Sequence, residues 1–227
     1  MDDRVKNGYA QTMPRPRAFD ERQVLEQARE QFWATGYAGT RMDDIAKATG
    51  LGKGSLYGAF GDKGQLFHRV FGDWCTAVVE VAAGWLAGGP DAEALDRLSG
   101  YVHLMAENTA SDTERRGCLL AKGAAELAQN DSTVAARSAE TMTALLTLLR
   151  TEISAAQRHG DIDSAADPER LAALLLTVVR GIEAVGKAGL DPETLRTIAD
   201  TALAVLPRPE GQQQKRSATR HSPAREN

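Results

Sequence analysis

At 227 residues, with 42% apolar and 5% aromatic content, the chain can hold one large domain or a small domain joined to a larger one. Alanine and leucine dominate and β-branched runs are rare, which points to an all-α fold. The net charge of −4 excludes a uniformly basic nucleic-acid coat, but it is uneven: 0 over residues 1–80, −7 over 81–206 and +3 over 207–227.

No apolar stretch approaches the roughly 18–20 residues of a membrane span. Residues 1–17 are polar, with Pro14 and Pro16, and lack the apolar core of a secretory signal. They are expected to form a disordered arm, with Met13 an alternative start to Met1. Arg15 and Arg17 would either sit in solvent or reach DNA phosphate or a minor groove. Cys75 and Cys118 lie far apart without a CxxC or a nearby histidine pair, so no metal site is expected. Reduced thiols in a cytoplasmic protein are the default.

Asp20 is positioned to cap a helix running to about Thr35, with Val24, Leu25, Ala28, Phe32 and Trp33 on its apolar stripe and Gly36 as its stop. Residues 40–66 are the most informative stretch. Met42, Ile45, Ala46 and Thr49 share one face of a short helix. Thr40 is expected as its N-cap, with Asp43 completing an acidic capping box, and Gly50 as its left-handed end. A second short helix turns Leu56 and Phe60 inward and leaves Ser55 and Tyr57 outside. Two short helices about a glycine turn make a helix-turn-helix over about 41–60.

Glycines at 52, 54, 58 and 61 each cost roughly 1 kcal/mol against alanine inside a helix. What they offer is close backbone approach to a partner such as DNA phosphate. Gly50–Ser55 is not a nucleotide loop, because Lys53 is followed by Gly54 and the preceding segment reads as helix.

The run Thr40-x4-Ile45-Ala46-x3-Gly50-Leu51-x2-Gly54-Ser55-Leu56-Tyr57-x2-Phe60-x2-Lys63-x2-Leu66 resembles the TetR/AcrR family of one-component transcriptional regulators. The resemblance implies a three-helix DNA-binding domain over 18–78 and a larger helical effector and dimerisation domain over 79–206. Residues 207–227 are expected to be a disordered tail. The resemblance also implies DNA contacts by Thr40, Lys53, Gly54, Ser55, Tyr57 and Lys63; from their positions at the helix starts, Arg41 is expected on the other side of the groove and the Gly52 backbone N–H on a phosphate oxygen. The chain departs from the family at Gly58 and Ala59, where larger aromatic or histidine side chains are usual. That leaves more of the base selection to Arg41 and to DNA shape.

A long helix from Lys63 to about Ala87 links the two domains and ends at Gly88-Gly89-Pro90. Further helices are predicted at about 91–108, 118–129, 131–159, 168–188 and 192–206, with Asp131, Asp167 and Asp191 as N-caps. The last two helices occupy the family's dimer position. Leu171, Leu175, Val178 and Ile182, with Leu195 and Ile198, are predicted to face a second copy in a four-helix contact, or else to form a core within one chain.

Cys118 follows Arg115-Arg116-Gly117 and opens a helix, a setting expected to lower a thiol pKa. Gly117-Cys118-Leu119 is similar to a family branch that includes repressors responding to reactive electrophiles, and Lys187 is a candidate to be brought near the thiol in the folded domain. The alternative is a small buried filler. The histidines are scattered and neither GxSxG nor HExxH occurs, so neither an enzyme nor a cofactor is expected. The resemblance implies a DNA-binding regulator, a homodimeric repressor released from a palindromic operator by a small-molecule effector. The alternatives are a switch acting through Cys118, and a helical interaction module without DNA recognition.

Overall fold

The computed structural model describes residues 19–209; the arm at 1–17 and the tail beyond 209 lie outside the described residues. The described residues form nine α-helices and no strand. Helix α1, Glu21–Gly39, is capped by the Asp20 carboxylate, which accepts from the backbone N–H groups of Arg22 and Gln23. Val24, Ala28 and Phe32 are buried in its face, while Leu25 and Trp33 are half-buried. The regular helix breaks at Gly36, where φ is 76°, and a short turn carries the chain to Thr40. The positive φ at position 36 favours glycine, and a Cβ there would also displace the Glu126 carboxylate.

Helix α2, Met42–Thr49, starts one residue later than the capping pattern suggests. Arg41 is the N-cap, and its backbone N–H donates to the Asp44 carboxylate at 2.9 Å. Thr40 points into the core instead, 1% exposed, its hydroxyl donating to Gly36 O at 2.6 Å. Gly50 closes α2 with φ of 68°. Helix α3, Lys53–Phe60, has Gly52 and Gly61 as its caps, so only Gly54 and Gly58 carry an in-helix glycine cost. Leu56 and Phe60 hold α3 to the domain from its buried side.

Helix α4, Lys63–Leu86, begins with a reciprocal cap between Asp62 and Gln65. A 3₁₀ turn, Asp91–Glu93, leads into α5, Ala94–Ser111. Helices α6, Leu119–Leu127, and α7, Ser132–His159, follow, the latter capped by Asp131 and closed by Gly160. Helices α8, Pro168–Ala188, and α9, Pro192–Ala204, start at Asp167 and Asp191, each with proline at its first turn. The segment after α9 is anchored at its start, because Pro207 O accepts from Asp163 N–H and Arg208 donates to Asp161 O, both at 2.9 Å. Residues 207 and 208 are thus bonded to the loop after α7.

Two apolar cores sit along α4. One surrounds Phe32, Leu56, Phe67 and Phe71 and also takes Leu119, Leu120 and Val134, so α6 and the start of α7 pack with the helix-turn-helix. The other joins the end of α4 to α5, α7, α8 and α9 through residues such as Leu98, Leu149, Val179 and Ala199. Glu152, 3% exposed, is held in this second core by the Arg97 guanidinium. A buried carboxylate left without that partner would be strongly destabilising.

Candidate nucleic-acid interface and effector cavity

The outer face of α3 carries Lys53, Gly54, Ser55, Tyr57 and Gly58, all exposed, with Tyr57 at 49%. A Cβ built at Gly52, Gly54 or Gly58 meets nothing within 4 Å, and none of the three has a left-handed φ. The protein's own packing therefore does not require these glycines, and they leave a low strip of backbone open to an outside partner. Arg41 is exposed beside this strip. Among the described residues it is accompanied by Lys53, which forms an ion pair with Asp43 across the turn.

Two of the residues carried over from the resemblance have other work within the fold. Thr40 is buried as described, so its hydroxyl is committed before any DNA arrives. The Lys63 ammonium donates to Tyr37 O at 3.0 Å and Thr40 O at 3.1 Å and lies 4.2 Å from the Tyr37 ring centroid. It satisfies the carbonyls at the end of α1, where a cation is favoured.

A second site lies beyond the head. A cavity of about 640 Å³ opens between α4, α5, α8 and the loop of residues 112–118. Trp74, Ala77, Val78 and Val81 of α4, at helical spacing, supply an apolar wall. Arg180, Glu183 and Lys187 line it from α8, and Tyr101 and Met105 from α5. Trp33 of α1 also lines it, so one wall belongs to the DNA-binding head.

Trp33 is held tightly to the loop. Its indole N–H donates to Gly117 O, the Arg116 guanidinium stacks 3.9 Å above its ring, and Arg116 pairs with Glu30 of α1 at 2.8 Å. Lys122 of α6 donates to Trp33 O. Glu126 accepts from Ala38 N–H at 3.0 Å.

Cys118 and Lys187 do line the same cavity, and the Lys187 stem packs against Gly117. The expected lowering of the thiol pKa is not what the fold produces. Burial pushes the Cys118 thiol up, and the Glu183 carboxylate adds to this, against the opposing pull of Arg180. Arg180 Nη1 lies 3.5 Å from the Cys118 sulfur, whereas Arg116 is spent on Trp33 and Glu30. The nearest cation thus comes from α8 rather than from the adjacent arginines. Arg180 and Glu183 were not singled out from sequence. Their signal was present: an oppositely charged pair at i and i+3 interrupting the apolar run of 171–185.

The sequence profile described as bacterial regulatory proteins, tetR family, matches residues 24–70, and that of the tetracyclin repressor-like C-terminal domain matches residues 94–202. The chain belongs to the TetR family. It is a helix-turn-helix transcriptional regulator with an N-terminal DNA-binding domain and a larger helical C-terminal domain. The transcriptional repressor ComR of Escherichia coli K12 is 25% identical over 193 residues, 85% of this chain and 91% of that protein. A cysteine mutant of the TetR-family regulator CifR, solved on 26 bp operator DNA, superposes with TM-score 0.74 at 27% identity, covering 85% of this chain and all of that one. A TetR regulator from Chloroflexus aurantiacus J-10-FL gives TM-score 0.70 at 25% identity, covering 81% and 91% of the two chains.

On this TetR-family chain the residues expected at a subunit contact divide differently from the prediction. Leu175, Ile182 and Leu195 are at most 1% exposed and belong to the core of their own chain. Leu171, Val178 and Ile198 are half-buried against that core. The large apolar side chains that α8, α9 and their ends present outward are Leu174, Leu190 and Val205, at 44%, 41% and 62% exposure. The broad stripe read from sequence is wide enough to serve a core on one side, and only its outer margin remains available.

Proposed function

We propose that this TetR-family regulator is a cytoplasmic homodimeric repressor that leaves a palindromic operator when a small molecule fills the cavity. The observation that carries this reading is the shared wall. Trp33 of the DNA-binding head lines the cavity and is fastened to the same loop, residues 112–118, that closes it. A ligand that favours a displaced loop would shift the populations of the head through α1, and only in proportion to its preference for that state. ComR is described as a repressor, and CifR is described on operator DNA, which supports the direction of control.

DNA contact is assigned to Arg41, Lys53, Ser55 and Tyr57 with the backbone of Gly52 and Gly54. Lys63 and Thr40 shape the surface from beneath. Dimerisation is assigned to the outer face of α8 and α9 around Leu174 and Val205, an isologous contact suited to a two-fold operator.

Fluorescence anisotropy on duplexes tiling the upstream region of the protein's own gene, at two salt concentrations, tests the reading. Sequence-selective binding is expected by two chains per duplex, with a log-linear salt slope and loss in the Lys53→Ala, Tyr57→Ala double variant. Leu174→Glu should give a folded monomer with weakened operator binding. Equal, weak binding to every duplex, unchanged in the double variant, would favour a helical interaction module.

A second reading makes Cys118 the sensor, and its position in the cavity beside Arg180 and Lys187 favours it. The raised thiol pKa means that an electrophile would meet little thiolate at neutral pH. Reagent-induced release that persists in Cys118→Ser would remove this reading.

A further inference from the structure

The cavity has two unlike sides. The α4 side, Trp74, Val78 and Val81, is apolar. On the opposite side Arg180 and Glu183 line the cavity with 17% and 18% of their side chains exposed. Their charges cancel, and Nη1 of Arg180 lies 3.0 Å from Oε2 of Glu183. That contact is ionic without hydrogen-bond alignment. The Cys118 sulfur contacts both side chains, yet Arg180 Nε and Glu183 Oε2 have no hydrogen-bond partner among the described residues, and neither do Arg116 Nε or Trp74 Nε1. Four buried polar atoms without a hydrogen bond, on residues around one cavity of ligand size, within the roughly 300–1,000 Å³ usual for small-molecule sites, are unusual for a finished core. The other charged groups of the lining sit in or next to the loop: Arg116 is paired with Glu30, Asp112 and Glu114, and Arg115 and Lys187 are at the rim.

We infer that the cavity takes a neutral, planar aromatic ligand bearing a hydrogen-bond acceptor and a donor side by side on one edge, of the carboxamide or lactam type. Its ring lies on Trp74, Val78 and Val81. Its carbonyl accepts from the Arg180 guanidinium, and its N–H donates to the Glu183 carboxylate. An anion would gain Arg180 but repel Glu183, and a cation would do the reverse, whereas the amide edge satisfies both. The inference rests on the cavity being the effector site and gives that site its chemical class.

Isothermal titration calorimetry of the full chain with four naphthalenes substituted at the same ring position tests it: the carboxamide, the carboxylate, the methyl ketone and the aminomethyl cation. The carboxamide is expected to bind about tenfold tighter than each of the others, the scale of one hydrogen bond to a charged group. Glu183→Gln leaves Arg180 uncompensated, so the order should shift toward the carboxylate while the melting profile stays cooperative. The wild-type order decides by itself if the variant does not fold.

Four equal affinities, tightest binding by the carboxylate or the cation, or no binding by any probe would each overturn the inference. Operator anisotropy on the same preparation separates the two readings. DNA binding with the wrong ligand order leaves the repressor assignment standing. The expected order without operator binding or release leaves the ligand class standing and removes the regulatory role.

Discussion

Gly58 sits in the middle of an eight-residue helix, where glycine costs about 1 kcal/mol against alanine. At some other in-helix glycines such a cost has an internal cause, although Gly84 of α4 and Gly181 of α8 are as open as Gly58. At Gly123 of α6 a Cβ would come within 2.5 Å of the Phe71 ring, and at Gly186 of α8 within 2.2 Å of the Thr109 methyl, so close helix packing excludes a side chain. At Gly58 the space is open. Gly58→Ala should therefore stabilise the protein by about 1 kcal/mol in denaturant titration. On the proposed function it should also weaken operator binding in anisotropy, by holding α3 off the phosphate backbone. Greater stability with unchanged affinity would mean that the open strip is not a DNA approach surface. The sequence could reveal the glycines but not which of them face solvent, because packing at Gly123 and exposure at Gly58 depend on elements far apart in the chain.

The helix starts show where local chemistry was enough and where it was not. Asp20, Asp131, Asp167 and Asp191 cap α1, α7, α8 and α9 as their spacing suggested, because an N-cap carboxylate bonds N–H groups only two or three residues on. Thr40 had the same local credentials but is drawn into the core, where Gly36 O takes its hydroxyl while Lys63 reaches its carbonyl from the start of α4. Cys118 misled in the same way: burial in the folded domain raises its pKa, and the charges that act on it after that, Glu183 and Arg180, arrive from α8.

Asp131 adds a non-local partner to its cap, since His68 Nε2 of α4 lies 2.6 Å from its carboxylate. That contact, ahead of the cap bonds from Val134 and Thr133, holds the Asp131 pKa below the ordinary carboxylate value. A depressed folded pKa gives stability that is present above the unfolded value and lost as pH falls through the folded one. Asp131→Asn keeps a capping oxygen but removes this titration. Its stability should lie below wild type near neutrality, and the gap should narrow as acid protonates Asp131 in wild type. Melting temperatures across an acidic pH series would check this; a gap independent of pH would mean that the carboxylate charge contributes nothing.

Across the molecule, two routes lead from the cavity to the reading helices. One is α4, which carries Trp74 and Val78 on the cavity wall and runs back to Lys63 beneath α1. The other is the loop of residues 112–118, which grips Trp33 and Glu30 of α1 through Arg116 and Gly117. Helix α6 reinforces it, through Lys122 on Trp33 O and Glu126 on Ala38. The second route is shorter and is built from polar contacts that a bound ligand can exchange, whereas α4 is sealed into both apolar cores. Coupling between the sites is a free energy, so a contact that transmits it can be cut without losing either binding event. Arg116→Ala should therefore still bind operator and still bind the naphthalene carboxamide by calorimetry. It should need several-fold more of that ligand for the same release from DNA. Release at wild-type ligand concentrations would make α4 the lever and reduce the loop to a wall of the cavity.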